Sequence, residues 1–319
     1  MALTALVSDP IASEGVQVLR QSGLFDRVDV KTGLPGAELR AILPEYDALL
    51  VRSMTKVRAD EFACAPRLKV VGRAGAGVDN VDVKAATANK TLVMNTPGGN
   101  NNAVAELVLG FLFALARGLP DATHSTRAGQ WEKSRFIGRE IEGRTLGVVG
   151  LGAIGRIVAR KAGALGMRVI GHDPALDDAR IAALGAQPRS FDSLLAESDA
   201  VTVHVPLLPQ TRGLFGAAAF AKMKRGAWLV HAARGGIVVE ADLLAALDSG
   251  QVGAAALDVF VEEPVPADHP LLRHPNVLAT PHIGASTREA QDKVGVQIAH
   301  QVVRYLRDGV AENAVNQLG

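Results

Sequence analysis

Gly150-Leu-Gly-Ala-Ile-Gly155 joins the apolar run Thr145–Val149 to an amphipathic stretch, and Asp173 closes a second apolar run that begins at Arg168. A G-x-G-x-x-G spacing between a strand and a helix reads as a dinucleotide-binding turn. Gly150 permits the tight turn, Gly152 lets a pyrophosphate approach the backbone, and Gly155 lets the helix sit close on the sheet. The helix start, through Ala153 and Ile154, then offers unpaired N–H groups to the anion. Ile154, Ile157, Val158, Ala162 and Leu165 share one helical face, with Arg156, Arg160 and Lys161 off it. Asp173, at the end of the second strand, is placed to hold a ribose hydroxyl, and its charge favours NAD over NADP, whose extra phosphate it would repel. A methyltransferase binding an adenosyl cofactor would carry a similar turn and acid, so these residues name a ligand class and not a reaction.

Composition narrows the classes around that turn. A chain of 319 residues is long enough for two domains. Its 34 basic and 33 acidic residues nearly balance, without a run of five like charges. Neither nucleic acid nor an anionic membrane is an expected partner, whereas a small anionic substrate is compatible. The single cysteine, Cys64, cannot form an internal disulfide, which fits a reducing cytoplasm. The N-terminus lacks a basic flank and reads as a first strand, not a signal peptide. The longest apolar region, Ala103 to Ala116, is interrupted by Glu106 and too short to span a bilayer, so a soluble protein is expected.

Short β-type runs at Leu3–Val7, Ala48–Val51, Lys69–Gly72 and Leu92–Asn95 alternate with helical stretches, predicting a parallel sheet before the glycine turn. Thr96-Pro-Gly-Gly-Asn-Asn-Asn102 is the clearest punctuation, and its Asn side chains can cap a helix starting near Ala103. That helix is apolar nearly all round, which predicts burial between domains or between subunits. From Thr145 onward, strand candidates at 146–149, 169–171, 200–205, 227–231, 254–258 and 277–279 predict a second doubly wound sheet. Ser286-Thr-Arg-Glu289 reads as a capping box opening a last helix to about Leu306, free to return to the first domain.

Ligands of an open parallel sheet bind outside the carboxyl ends of its strands. Gly150, Arg234, Glu263 and His282 all fall on one such edge. Arg234, in Ala233-Arg-Gly-Gly236, can grip a carboxylate bidentately. His282, in Thr280-Pro-His-Ile-Gly284, is suited to move a proton near neutrality, and Glu263 bonded to it would fix its tautomer and raise its pKa. His204 and His231 also lie at strand ends, so this filter leaves three histidines in play. No metal-ligand spacing and no nucleophile elbow is present, leaving redox chemistry by a bound nicotinamide as the reading.

Leu50-Val-Arg-Ser53, Val71-Gly-Arg-Ala-Gly-Ala-Gly-Val-Asp-Asn80, Met94-Asn-Thr-Pro-Gly98, Ala105-Glu-Leu107, the Gly150 turn, His231-Ala-Ala-Arg-Gly-Gly236, Ala256-Leu-Asp-Val-Phe260 with Glu263-Pro264, and Thr280-Pro-His-Ile-Gly-Ala-Ser286 occur in order. Essentially end to end, the chain resembles the D-2-hydroxyacid dehydrogenase family, most of all its branch that oxidises 3-phospho-D-glycerate to 3-phosphohydroxypyruvate in serine biosynthesis. The resemblance implies an α/β protein with two doubly wound parallel-sheet domains. A Rossmann-type NAD domain, 98–284, would be inserted into a flavodoxin-like substrate domain, 1–97 and 285–319.

By resemblance Arg234 holds the substrate carboxylate and polarises the carbonyl, His282 exchanges the hydroxyl proton, and Glu263 supports the imidazole while hydride passes between substrate carbon and nicotinamide. The loop Arg73, Ala74 and Gly75 would meet the carboxylate through backbone N–H groups, and Arg52 the far, phosphorylated end, with Arg73 a second candidate. Ala76, Val205 and Pro206 would join the glycine turn in lining the cofactor, as would Ala232, Ala233, Asp258, Gly284 and Ala285. The resemblance also implies a homodimer, or a tetramer of dimers, through the helix from Ala103 and the loop near Arg127 to Trp131. The sequence ends at Gly319, soon after Asn313-Ala-Val-Asn316, so feedback through a C-terminal regulatory domain is not expected. Relatives that reduce hydroxypyruvate or glyoxylate, and a nucleotide-sensing corepressor branch, remain the alternatives.

Overall fold

The computed structural model of the chain describes residues 3–318. Two compact units divide it: residues 1–100 with 285–319, and residues 101–284. The first unit has strands β1 (Leu3–Val7), β2 (Phe25–Val30), β3 (Ala48–Val51), β4 (Val70–Arg73) and β5 (Leu92–Met94). Helices α1 (Ser13–Gln21), α2 (Gly36–Ile42), α3 (Ala59–Ala63) and α4 (Val83–Ala88) alternate with them. All neighbours pair parallel in the order β2-β1-β3-β4-β5, the flavodoxin-like arrangement. The inner strand β3, Ala-Leu-Leu-Val, is buried along its whole length, as a strand covered on both faces must be.

The second unit opens with α5 (Asn101–Arg117) and α6 (Leu119–Arg127) and then alternates β6 (Thr145–Val149), α7 (Gly155–Ala164), β7 (Arg168–His172), α8 (Asp178–Ala183) and β8 (Gln187–Pro188). It continues through α9 (Phe191–Glu197), β9 (Ala200–Val203), α10 (Ala217–Lys222), β10 (Ala227–His231), α11 (Glu240–Asp248), β11 (Val252–Leu257), α12 (Pro270–Arg273) and β12 (Val277–Ala279). The parallel order β12-β11-β10-β9-β6-β7-β8 reverses direction between β6 and β9, the Rossmann switch point. Both expected doubly wound sheets are therefore present.

Several local expectations shift. β2, Phe-Asp-Arg-Val-Asp-Val, has no apolar run because it is an edge strand with most of its residues partly or fully exposed. β8 is a two-residue edge strand, the position that tolerates its Pro188. β9 stops at Val203, which leaves His204, Val205 and Pro206 in the loop beyond it. α5 starts at Asn101, so Asn101 and Asn102 lie within its first turn and Asn100 just before it, and Asn102 Nδ2 donates to Glu106 Oε1 one turn on at 2.9 Å. One face of α5 packs against its own unit's sheet through Val104, Val108, Phe111 and Leu112; Glu106, Gly110 and Phe113 lie opposite at the surface. Leu165, expected on the buried face of α7, follows that helix and is 39% exposed.

The last helix, α13 (Arg288–Asp308), is capped by Thr287 and not Ser286: Thr287 Oγ1 accepts from the Ala290 N–H at 3.2 Å. It packs in the first unit against α1 through a close helix crossing. A β-carbon on Gly15 would stand 2.6 Å from the carbonyl oxygen of Gly295. Asn316 ties the following segment to β5, accepting from the Val93 N–H at 2.7 Å. No single helix among the described residues is long and apolar enough to cross a membrane; the bent pair α5–α6 reaches the composition, but α5 buries one face in the core.

Because backbone on both sides fixes the α1–α13 distance, Gly15→Ala is expected to lower unfolding stability by about 1–3 kcal/mol, the usual range for overpacking. Urea unfolding checks this, and a stability within experimental error of the parent would show that the crossing yields.

Candidate active site

At the β6–α7 turn each glycine meets a different constraint. Gly150 has φ +90°, and a β-carbon there would lie 2.9 Å from the His204 backbone. A β-carbon on Gly155 would be 1.9 Å from the Gly150 carbonyl oxygen, so only glycine lets α7 start this close. At Gly152 nothing lies within 4 Å of that position. The turn is braced by Asp173, whose Oδ2 accepts from the Leu151 N–H at 2.9 Å and whose Oδ1 accepts from the Ala175 N–H at 3.0 Å. Val205 and Pro206 follow β9 at the switch point, and Val205 packs against Gly150. An open backbone approach, a nearby carboxylate and the switch point together fit a dinucleotide.

Along the same sheet edge, β11 is followed by Asp258, which is 1% exposed. Oδ1 accepts from Thr280 Oγ1 at 2.6 Å and from the Ile283 N–H at 2.8 Å, and Oδ2 from the Gly284 N–H at 2.8 Å. These bonds close the turn after β12 and hold His282 in a left-handed conformation, φ 53°. The Asp258 carboxylate, expected to touch the cofactor, thus also braces this turn, and the Gly284 N–H is one of the donors to it.

His282 Nδ1 lies 2.7 Å from Glu263 Oε2, and Glu263 Oε1 accepts from the Phe260 N–H at 3.1 Å. A carboxylate can only accept, so Nδ1 carries the hydrogen and Nε2 is left for proton exchange. The hydrogen bond to Glu263 raises the His282 pKa; burial opposes it, and the charges of Glu263 and Asp258 add to it. Burial raises the Glu263 carboxyl, but the bonds from His282 and the Phe260 N–H outweigh it and leave the group below its ordinary value.

Arg234 follows β10. A β-carbon on the next residue, Gly235, would sit 1.9 Å from the Phe260 carbonyl oxygen, so the arginine loop lies directly on the loop that leads to Glu263. Arg234 Nη1 donates to the Ala233 carbonyl at 2.7 Å, and its own carbonyl accepts from His231 Nε2 at 2.9 Å. The charge of Arg234 is felt at both Glu263 and His282, so the three expected residues share one site.

The other histidines separate by environment. Burial pushes His231 down to about 4 against the bond to the Arg234 carbonyl. His204, bonded to Thr202 Oγ1 at 2.9 Å, is pushed down to about 3 by burial of its ring and by His231. Both are neutral near pH 7 and support the edge; His282 alone is placed for proton exchange. Sequence position could not separate them, because all three follow or end strands.

In the first unit the switch point lies between β1 and β3, and the residues after those strands are Asp9 and Arg52. Buried Asp9 accepts from the Arg52 N–H at 2.6 Å and from Thr55 Oγ1 at 2.6 Å, and Asn80 Nδ2 donates to the Arg52 carbonyl at 2.8 Å. Asp9 and Asn80 were not foreseen; the signal was the switch-point rule applied to β1. Burial lowers the pKa of the half-buried Arg52 guanidinium, and Asp9 opposes the shift. Two expected anion donors are already committed: the Ala74 N–H to the Val51 carbonyl at 2.8 Å and the Gly75 N–H to Thr96 Oγ1 at 2.7 Å. The Arg73 side chain folds over Gly75. Ala285 belongs to this unit.

Residues 109–284 match the D-isomer specific 2-hydroxyacid dehydrogenase, NAD binding domain. The chain belongs to this family. Its dinucleotide is NAD. Over 314 residues the chain is 47% identical to a D-3-phosphoglycerate dehydrogenase of Archaeoglobus fulgidus, covering 98% of this chain and 59% of that protein. It thus spans a little under three fifths of that relative's length. A protein of Thermus thermophilus, TT0316, superposes with TM-score 0.88 at 34% identity, covering 98% of this chain and 100% of that one. A glyoxylate reductase of Paecilomyes thermophila gives 0.84 at 29% identity, covering 98% of both chains.

Asp258→Ala would leave the Ile283 and Gly284 N–H groups without their acceptor, and is expected to lower stability by about 2–6 kcal/mol, since each unmet buried donor costs about 1–3 kcal/mol. Urea unfolding and hydrogen exchange at residues 280–284 measure it; unchanged protection there would refute the bracing role.

Proposed function

We propose that this chain is an NAD-dependent dehydrogenase of 3-phospho-D-glycerate, forming 3-phosphohydroxypyruvate or running the reverse reduction. The observation that carries the reading is the His282–Glu263 pair beside Arg234, a proton carrier with a fixed tautomer next to a carboxylate-binding cation. Arg234 binds the substrate carboxylate and polarises the C2 oxygen. His282 Nε2 takes the C2 hydroxyl proton in oxidation and returns it in reduction, while Glu263 stabilises the imidazolium. NAD supplies acceptance of the C2 hydride. Arg52 and Arg73 bind the anionic ends of the substrate, and the likeness to D-3-phosphoglycerate dehydrogenase favours a phosphate there. The likeness to a glyoxylate reductase supports a second reading, reduction of an unphosphorylated 2-oxo acid.

Turnover of 3-phosphohydroxypyruvate, hydroxypyruvate and glyoxylate with NADH decides between them. The phosphorylated acid is expected to give the highest kcat/KM, with Arg52→Ala weakening it selectively; indifference to the phosphate would sink the first reading. His282→Ala is expected to lower kcat by about 10²–10⁴-fold.

Glu263→Gln removes the charge that raises the His282 pKa. Oxidation needs neutral His282, so its acid limb in a kcat/KM profile moves to lower pH. Reduction needs the protonated ring, so its alkaline limb also moves to lower pH and activity fades sooner as pH rises. An unmoved profile would remove Glu263 from this role.

We also infer self-association through α5, α6 and the loop after them. Trp131 and Ile137 are 87% and 86% exposed there, with Phe113 and Leu119 nearby in the chain also at the surface. Large apolar side chains left this exposed, on the segment the family resemblance places at the subunit contact, support that reading. Sedimentation is expected to show a dimer or tetramer, and a monomer at micromolar concentration would contradict the inference.

A further inference from the structure

The opposite edge of the second unit's sheet holds a cavity of about 240 Å³ that the proposed chemistry does not use. It is built at the amino ends of the strands: Arg144 precedes β6, Met167 precedes β7, Asp199 precedes β9, and Arg225 precedes β10. β6 is five residues long, so roughly 15 Å of strand separates this edge from the glycine turn. The floor is apolar, formed by Met167 and by Trp228, both nearly buried.

Four cationic side chains, Arg139, Arg144, Lys224 and Arg225, line the cavity against one carboxylate, Asp199. That carboxylate is occupied: it accepts from Lys224 Nζ at 2.6 Å and from the Thr145 N–H at 2.9 Å. Burial raises its pKa, but those bonds and the charges of Lys224 and Arg144 outweigh it and leave it below the ordinary value. Arg144 Nε donates to the Glu140 carbonyl at 2.7 Å, and Arg225 Nη2 to the Ser249 carbonyl at 2.9 Å. Arg139 has no carboxylate partner among the described residues. Three guanidinium groups therefore line one concavity, and among the described residues none of them is bonded to a carboxylate.

Like charges gathered in a pocket repel one another, and an anion relieves that repulsion while meeting the paired N–H donors of arginine. We propose that this cavity is a binding site for a small polyanion, a phosphate ester or a polycarboxylate, with its carbon skeleton against Met167 and Trp228. Its volume lies just under the range of small-molecule sites, about 300–1,000 Å³, which limits the ligand to a compact one. The site stands independently of the dehydrogenase reading, since no residue of the catalytic edge contributes to it.

Trp228 is one of two tryptophans, so Trp131→Phe makes it the only indole and a reporter on the cavity floor. Inorganic phosphate and citrate are titrated against this variant at ionic strength held constant with sodium chloride. A saturable fluorescence change is expected, with Arg139→Gln and Arg225→Gln each weakening it roughly tenfold, the effect of one lost charge-assisted hydrogen bond. Calorimetric NADH binding unaltered in both variants shows that they fold. Preference for phosphate or for citrate tells a phosphate ester from a polycarboxylate. A response that never saturates, or equal affinity in variants that still bind NADH, would overturn the proposal.

Discussion

The buried carboxylate of Asp258 is the fixed point of the catalytic edge. A charge this far from solvent is tolerable only when donors saturate it, and the Thr280 hydroxyl with the Ile283 and Gly284 N–H groups do so. Those donors bracket His282, which keeps the ring's residue in a backbone conformation that a non-glycine rarely adopts. From there Nδ1 meets Glu263, Glu263 takes the Phe260 N–H, and the Phe260 carbonyl touches Gly235 beside Arg234. An unbroken chain of contacts thus sets the mutual geometry of the three proposed catalytic groups. Loss of the Asp258 carboxylate acts first on the turn that carries His282, so its effect should concentrate there.

The same sheet edge carries three histidines with three different proton affinities, and environment alone separates them. His231 and His204 lose the stabilisation of water and gain no carboxylate, so they stay neutral. His282 is partly exposed and faces Glu263, so its charged form is favoured. The neutral pair still has work to do: His231 holds the Arg234 carbonyl, and the His204 backbone forms the wall against which Gly150 turns.

Long buried strands were legible in the sequence because a strand covered on both faces must be apolar throughout, as β3 and β6 are. The edge strands β2 and β8 were not, since half their surface meets solvent and the periodic signal vanishes. Helix ends misplaced by one or two residues, at Asn101 and Thr287, reflect how many adjacent polar residues could each supply a cap. In the site, Arg234, Glu263 and His282 were visible as polar residues after apolar strands. The commitments of Asp258, Asp9 and the Ala74 and Gly75 N–H groups were not, because which donor meets which acceptor depends on register between strands far apart in the chain.

The three glycines of the opening turn no longer carry equal weight. Gly150 and Gly155 would be required by any strand and helix joined this tightly: one has a positive φ and both would collide with backbone. They testify to packing. Gly152 has no positive φ and no atom within 4 Å of where its β-carbon would stand, so neither backbone conformation nor packing within the fold demands glycine there. Glycine in the middle of such a turn loses more conformational entropy on folding than alanine would, by roughly 0.5–1 kcal/mol. A residue that destabilises the fold without a structural return is accounted for by what comes to it from outside, and the close approach of a pyrophosphate is the reading that this one position, more than the motif around it, supports.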